Sequence, residues 1–160
     1  MDAIIQRLQN IASFNIYQIN TDGTCQPWYN VTGKEVVDNL LLSDSDLRGQ
    51  VQTVNGRIAY WGRLASQAKR VLEIKEREYR IWKATIYLHY RNDGEKHTEK
   101  ELDALIRTSP GYVDSYQQIE RAEEAYNSTL AVVDAWKSKL QVMKMAIYRQ
   151  NTEDGSQLSL

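Results

Sequence analysis

Between residues 57 and 91, nine basic side chains, Arg57, Arg63, Lys69, Arg70, Lys75, Arg77, Arg80, Lys83 and Arg91, stand against only Glu73, Glu76 and Glu78. The local net charge is +6, in a chain whose overall charge is −1. Arg63, Arg70, Arg77 and Arg91 share one heptad position, Ala84 fills the gap, and Arg57, Lys69, Arg80 and Lys83 flank them. On a helix this pattern sets cations about 10.5 Å apart along a straight edge. Guanidinium groups so arranged suit a phosphate backbone, which is held by charge and counterion release. Tyr60, Tyr79, Trp82, Tyr87 and Tyr90 lie among the cations, as stacking on the bases of a single strand would require. The stripe also fits the solvated outer face of a bundle, because Glu73 with Arg77 and Glu76 with Arg80 are four apart in the order that favours ion pairs.

Other chemistry finds little footing. His89 and His97 are eight apart across a helix end, no Cys or His cluster has metal-ligand spacing, and there is no glycine-rich phosphate loop. The sequence therefore reads as a non-enzyme with no metal and no cofactor. Glu120, Glu123 and Glu124 form a carboxylate cluster that reads as a solvated helix face. Cys25 is the single cysteine, which excludes an internal disulfide framework and fits a reducing compartment. With no secretion signal and no apolar run near eighteen residues, the expected location is the cytoplasm. Asn30-Val31-Thr32 and Asn127-Ser128-Thr129 match the glycosylation pattern, by chance in such a setting.

The basic residues ride on a stretch with its own periodicity. Leu47, Val51, Val54, Ile58, Trp61, Ala65, Ala68, Leu72, Lys75, Tyr79, Trp82, Ile86 and His89 alternate spacings of four and three. That alternation keeps one seam of a helix about 65 Å long facing another helix. Lys75 either specifies register there or snorkels to the surface, and His89 takes an interior or boundary place at the seam's end. A second seam reads Tyr112, Ser115, Ile119, Ala122, Tyr126, Thr129, Val133, Trp136, Leu140, Met143 and Ile147. Between the two, Asn92-Asp93-Gly94 is a turn, Thr98 and Glu101 form a capping box that opens a short helix, and Ser109-Pro110-Gly111 ends it.

Before the first seam, residues 3 to 12 predict a short amphipathic helix and Phe14 to Thr24 a small strand with a turn at Thr21-Asp22-Gly23. Thr32 and Glu35 have capping-box spacing and open a second short helix ending near Ser43. The expected fold is mostly α, an antiparallel helical hairpin with short amino-terminal elements. Its parts are a small acidic segment over 1–45, the helical hairpin domain over 46–150 and a flexible tail over 151–160. Ile74, Ile81 and Leu88 on the first helix, and Val142, Met145 and Tyr148 on the second, lie outside the seams, so a homo-oligomer is expected.

From about Arg57 onward the chain resembles the phage recombination mediator family typified by UvsY. The likeness rests on the basic helix leading into Lys83-Ala84-Thr85-Ile86-Tyr87, the polar turn at Asn92-Asp93-Gly94, the threonine-glutamate helix start, and Asp134-Ala135-Trp136-Lys137-Ser138-Lys139 on a long helix. It implies an oligomeric helical protein that binds single-stranded DNA and helps load a recombinase onto strands covered by single-strand binding protein. Lys83 corresponds to one basic member of that family's DNA-contacting segment, the second falling at Thr85, with Arg77, Arg80 and Arg91 placed to compensate. A structural or adaptor helical protein, such as a virion or assembly component or a host-protein inhibitor, is the alternative from another class.

Overall fold

The computed structural model describes residues 6, 8–11, 13–40 and 47–157. Its elements, in chain order, are β1 (Phe14–Ile19), β2 (Cys25–Val31), α1 (Gly33–Leu40), α2 (Leu47–Arg91), α3 (Glu99–Thr108) and α4 (Tyr112–Gln157). Most of the chain is thus helical, with α2 and α4 packed along each other and one two-stranded antiparallel sheet.

The two long helices run antiparallel. Tyr79 and Trp82 of α2 meet Tyr112 at the start of α4, Val71 and Lys75 lie across from Gln118 and Ala122, and Arg57 and Trp61 lie across from Trp136. The seams face each other as their spacing predicts, with Val54, Ala65, Ala68, Ala122, Thr129, Val133, Trp136 and Met143 buried. Alanines at mid-seam let the helix axes approach closely, and larger side chains fill the space toward the amino-terminal elements. The buried face is wider than one seam, because Leu64 and Val71 on α2, and Ala125, Val132 and Ala135 on α4, are buried beside it. His89 differs from expectation: it is exposed, because α4 begins opposite Trp82 and nothing of it reaches the last two turns of α2.

The amino-terminal segment lies on this pair and shares its core. Phe14, Ile16, Val31, Val36, Val37 and Leu40 cluster with Val54, Leu64, Val132, Trp136 and Met143. Gln67 Nε2 donates to the Tyr17 carbonyl, tying the strand to α2. The expected strand is present as β1, with the Thr21–Gly23 turn closed by the Gly23 N–H donating to the Asn20 carbonyl at 3.0 Å and φ of 85° at Gly23. Its partner β2 was not expected, since Pro27 cannot donate to a ladder and only Val31 of the seven residues is buried. Ile16 pairs with Tyr29 and Tyr17 with Pro27, so Trp28 is bulged out of the ladder and exposed.

Helix α1 is capped by Thr32, whose Oγ1 accepts from the Glu35 N–H at 3.2 Å. Its described part ends at Leu40, and residues 41–46, including the expected end near Ser43, lie outside the described residues; of the expected helix over 3–12, residues 3–5, 7 and 12 lie outside them too, while Gln6, Leu8 and Gln9 are helical. Leu8, from that stretch, is buried. Over the stretch expected as a tail, 151–160, the described residues through Gln157 continue α4 as helix; Gly155 alone is a weak interruption when the flanking residues continue the ladder.

One contact closes this arrangement. The Gly33 N–H donates to the Ile11 carbonyl at 3.2 Å, and a Cβ at Gly33 would strike the Leu8 carbonyl oxygen and stand 2.6 Å from that of Ile11. Gly33→Ala is expected to lower the unfolding free energy by about 2–3 kcal/mol, read as a lower urea midpoint at unchanged slope.

Candidate nucleic-acid interface

All eight expected contact residues, Arg57, Arg63, Lys69, Arg70, Arg77, Arg80, Lys83 and Arg91, are exposed on α2. They do not share one environment. Lys69, Arg70 and Arg77 line a groove of about 570 Å³ between α2 and the Asn20–Gly23 turn of the β-hairpin. Glu73 and Glu78 also line it, but Glu78 Oε2 is taken by Lys75 Nζ at 2.9 Å. Arg57 sits at the other end, beside an aromatic recess under the hairpin.

The carboxyl-terminal cations are engaged. Lys83 Nζ lies 3.8 Å from Asp103 Oδ1 and Arg91 3.8 Å from Glu99 Oε1, both carboxylates on α3. Tyr87 also donates to Glu99 at 3.2 Å, and the Tyr90 hydroxyl lies 3.1 Å from the Ser109 hydroxyl. By contrast, among the described residues no carboxylate lies within 4.0 Å of Arg57, Arg63, Lys69, Arg70, Arg77 or Arg80. The pairs that spacing allows, Glu73 with Arg77 and Glu76 with Arg80, are not made; Arg80 Nε instead donates to the Glu76 carbonyl at 3.3 Å.

The aromatic residues divide similarly. Tyr79 and Trp82, stacked at 5.9 Å between centroids, belong to a cluster with Tyr112 and Tyr116 that closes the hairpin, and burial pushes the Tyr79 phenol up. Tyr87 and Tyr90 are half-buried against α3, leaving Tyr60 exposed beside the cations. Sequence reasoning did not find Tyr29 and Trp136, which join Tyr60 at the recess; a Trp at a seam position reads as core, and Tyr29 lies on the unexpected strand. Tyr29 donates to Glu35 Oε1 at 2.6 Å, which raises its phenol above the usual range.

Lys75 follows the snorkelling reading: its stem is half-buried and its ammonium reaches Glu78. Lys139 is the more deeply buried lysine, its Nζ over the Trp136 ring at 5.2 Å and its pKa lowered by desolvation. Burial likewise raises the Cys25 thiol, which favours its protonated, unreactive form. Glu120, Glu123 and Glu124 are exposed. No group of three or more His, Cys, Asp or Glu among the described residues has metal-site geometry. No helix among them is long and apolar enough to cross a membrane.

Fold and surface together define the class as a helical hairpin with an exposed basic edge, buttressed by a β-hairpin. The chain matches no protein-family model, no curated protein and no solved structure.

The placement of Asp103 and Glu99 depends on the start of α3. Thr98 Oγ1 accepts from the Glu101 N–H, and Glu101 Oε2 accepts from the Thr98 N–H at 2.7 Å. That backbone bond first, and the Thr98 hydroxyl second, hold the Glu101 carboxyl below its ordinary 4.5. Because the folded value is the lower one, the stabilisation is complete above pH 4.5 and is lost as pH falls through the folded value. The Thr98 amide 1H and 15N shifts should therefore move on acidification in the wild type as the Glu101 carboxylate protonates, and Glu101→Gln should remove that step of the pH profile.

Proposed function

We propose that the protein binds single-stranded DNA as a homo-oligomer and serves as a recombination mediator, helping to load a recombinase onto strands held by single-strand binding protein. The observation that carries this reading is that Arg57, Arg63, Lys69, Arg70, Arg77 and Arg80 are exposed and have no ion-pair partner among the described residues. An i, i+4 ion pair adds only about 0.2–0.5 kcal/mol to a helix, and here the available glutamates do not close on these arginines, which leaves their guanidinium groups open to a phosphate. The groove lined by Lys69, Arg70 and Arg77 adds a concave surface in which a flexible phosphate backbone gains several contacts at once. The resemblance from Arg57 onward points to the same chemistry, with the weight moved from Lys83, which Asp103 engages, to the arginines before it.

Affinity then comes from counterion release, and several copies facing one strand raise it by avidity. Ile81 and Leu88 toward one end of the hairpin and Met145 and Tyr148 toward the other are exposed, as contacts with another copy require. The same four residues favour the second reading, a helical adaptor that docks another protein and whose arginines only keep it soluble. Nucleic acid carried through purification, seen as a raised 260 to 280 nm absorbance ratio, separates the two.

Binding of a labelled single-stranded oligonucleotide across a salt series tests the proposal. The wild type should bind tightly at low salt with a steep salt dependence. Changing Arg63, Arg70 and Arg77 together to glutamine should weaken binding and reduce the slope of log K against log salt by about 2–3; no wild-type binding at low salt removes the reading. Sedimentation should give a mass above the 18.5 kDa of one chain, and Ile81→Ser with Leu88→Ser should lower it.

A further inference from the structure

At the Arg57 end of the basic edge, a recess of about 240 Å³ opens between the β-hairpin with α1 on one side and α2 with α4 on the other. Its walls are Tyr29, Tyr60, Trp61 and Trp136, and Glu35 and Arg57 also line it. Tyr60 and Trp61 are fixed edge to face, at 5.8 Å and 83°. The volume is below the roughly 300–1,000 Å³ of pockets for drug-sized ligands, which limits an occupant to about one ring system. Trp136, in the same lining, is 4 % exposed.

We infer that this recess takes one base of a bound single strand while the adjoining arginines hold its phosphates. The inference rests on the reading of the basic edge as a DNA contact, and it names the part of the strand that the edge leaves unaccounted for. Aromatic walls accept any flat heterocycle and contribute through stacking. Glu35, with one oxygen engaged by Tyr29, offers its other oxygen to an exocyclic amine, so an amine-bearing base is preferred over thymine. Arg57, in the same lining, sits where the backbone of that nucleotide continues onto the stripe.

The test compares three strands of equal length on the wild type: oligo-dC, oligo-dT, and a strand of abasic sugar-phosphate units. Affinity should fall in that order. Tyr60→Ser, at an exposed wall position, should weaken oligo-dC by roughly tenfold and leave the abasic strand unchanged, whereas Glu35→Gln should abolish the difference between oligo-dC and oligo-dT. Equal wild-type affinity for oligo-dC and the abasic strand, with a steep salt slope for both, overturns the base site and leaves the phosphate reading standing. A Tyr60→Ser loss that is the same on both strands also overturns it. No binding to any strand removes both readings.

Discussion

Everything in this molecule depends on the apolar contact between α2 and α4. Burying a Val, Leu or Met side chain contributes about 1.5–3 kcal/mol, and the contact buries Val54, Leu64, Val71, Val132, Val133 and Met143 together with five alanines. The exposed ion pairs around it, such as Lys83 with Asp103 and Arg91 with Glu99, are worth about 0–1 kcal/mol each. The contact therefore sets the fold, and the pairs only trim it. It also decides where the cations go. A helix that commits one side to a partner leaves its other side to water, and Arg63, Arg70 and Arg77 repeat at the seam's own period. Their alignment is a consequence of the packing.

The competition for those cations is local and weak. Asp103 is shared between Lys83 at 3.8 Å and Arg107 at 2.9 Å, so the longer pair is the easier one to displace. Glu78 is committed to Lys75 on the side of the hairpin, which leaves Glu73 as the uncommitted carboxylate lining the groove with Lys69, Arg70 and Arg77. The β-hairpin thus does two things at once. It covers the seam between the helices, and its turn supplies the opposite wall of the charged groove.

The long helices, the linking turn and the capping box at Thr98 were legible because each rests on local spacing or local hydrogen bonds. The exposure of the cations was legible too, since it is the complement of the seam. Strand β2 was not, because its pattern carries one buried residue and a proline, and its stability comes from β1 and the helices beneath. Spacing alone could not show that Glu73 leaves Arg77 open or that Asp103 reaches Lys83, since these are matters of side-chain geometry and of an element 20 residues away. The recess was hidden for a related reason. Its lining comes from β1, β2, α1, α2 and α4, and only folding brings these segments together.

The docking of the β-hairpin onto α4 has a consequence for how the chain is made. A lone two-stranded hairpin is at best marginally stable in water, and the side chains that cover Phe14, Ile16 and Val31 include Val132, Trp136 and Met143. During synthesis, residues 14–40 leave the ribosome some hundred residues before those partners exist. The cover of their apolar side chains stays incomplete until α4 emerges. The helices, in contrast, can zip from the aromatic cluster beside Gly111, where the contacts are close in sequence and the loop to be closed is short. Residues 14–40, though made before α4, therefore complete their packing only after it.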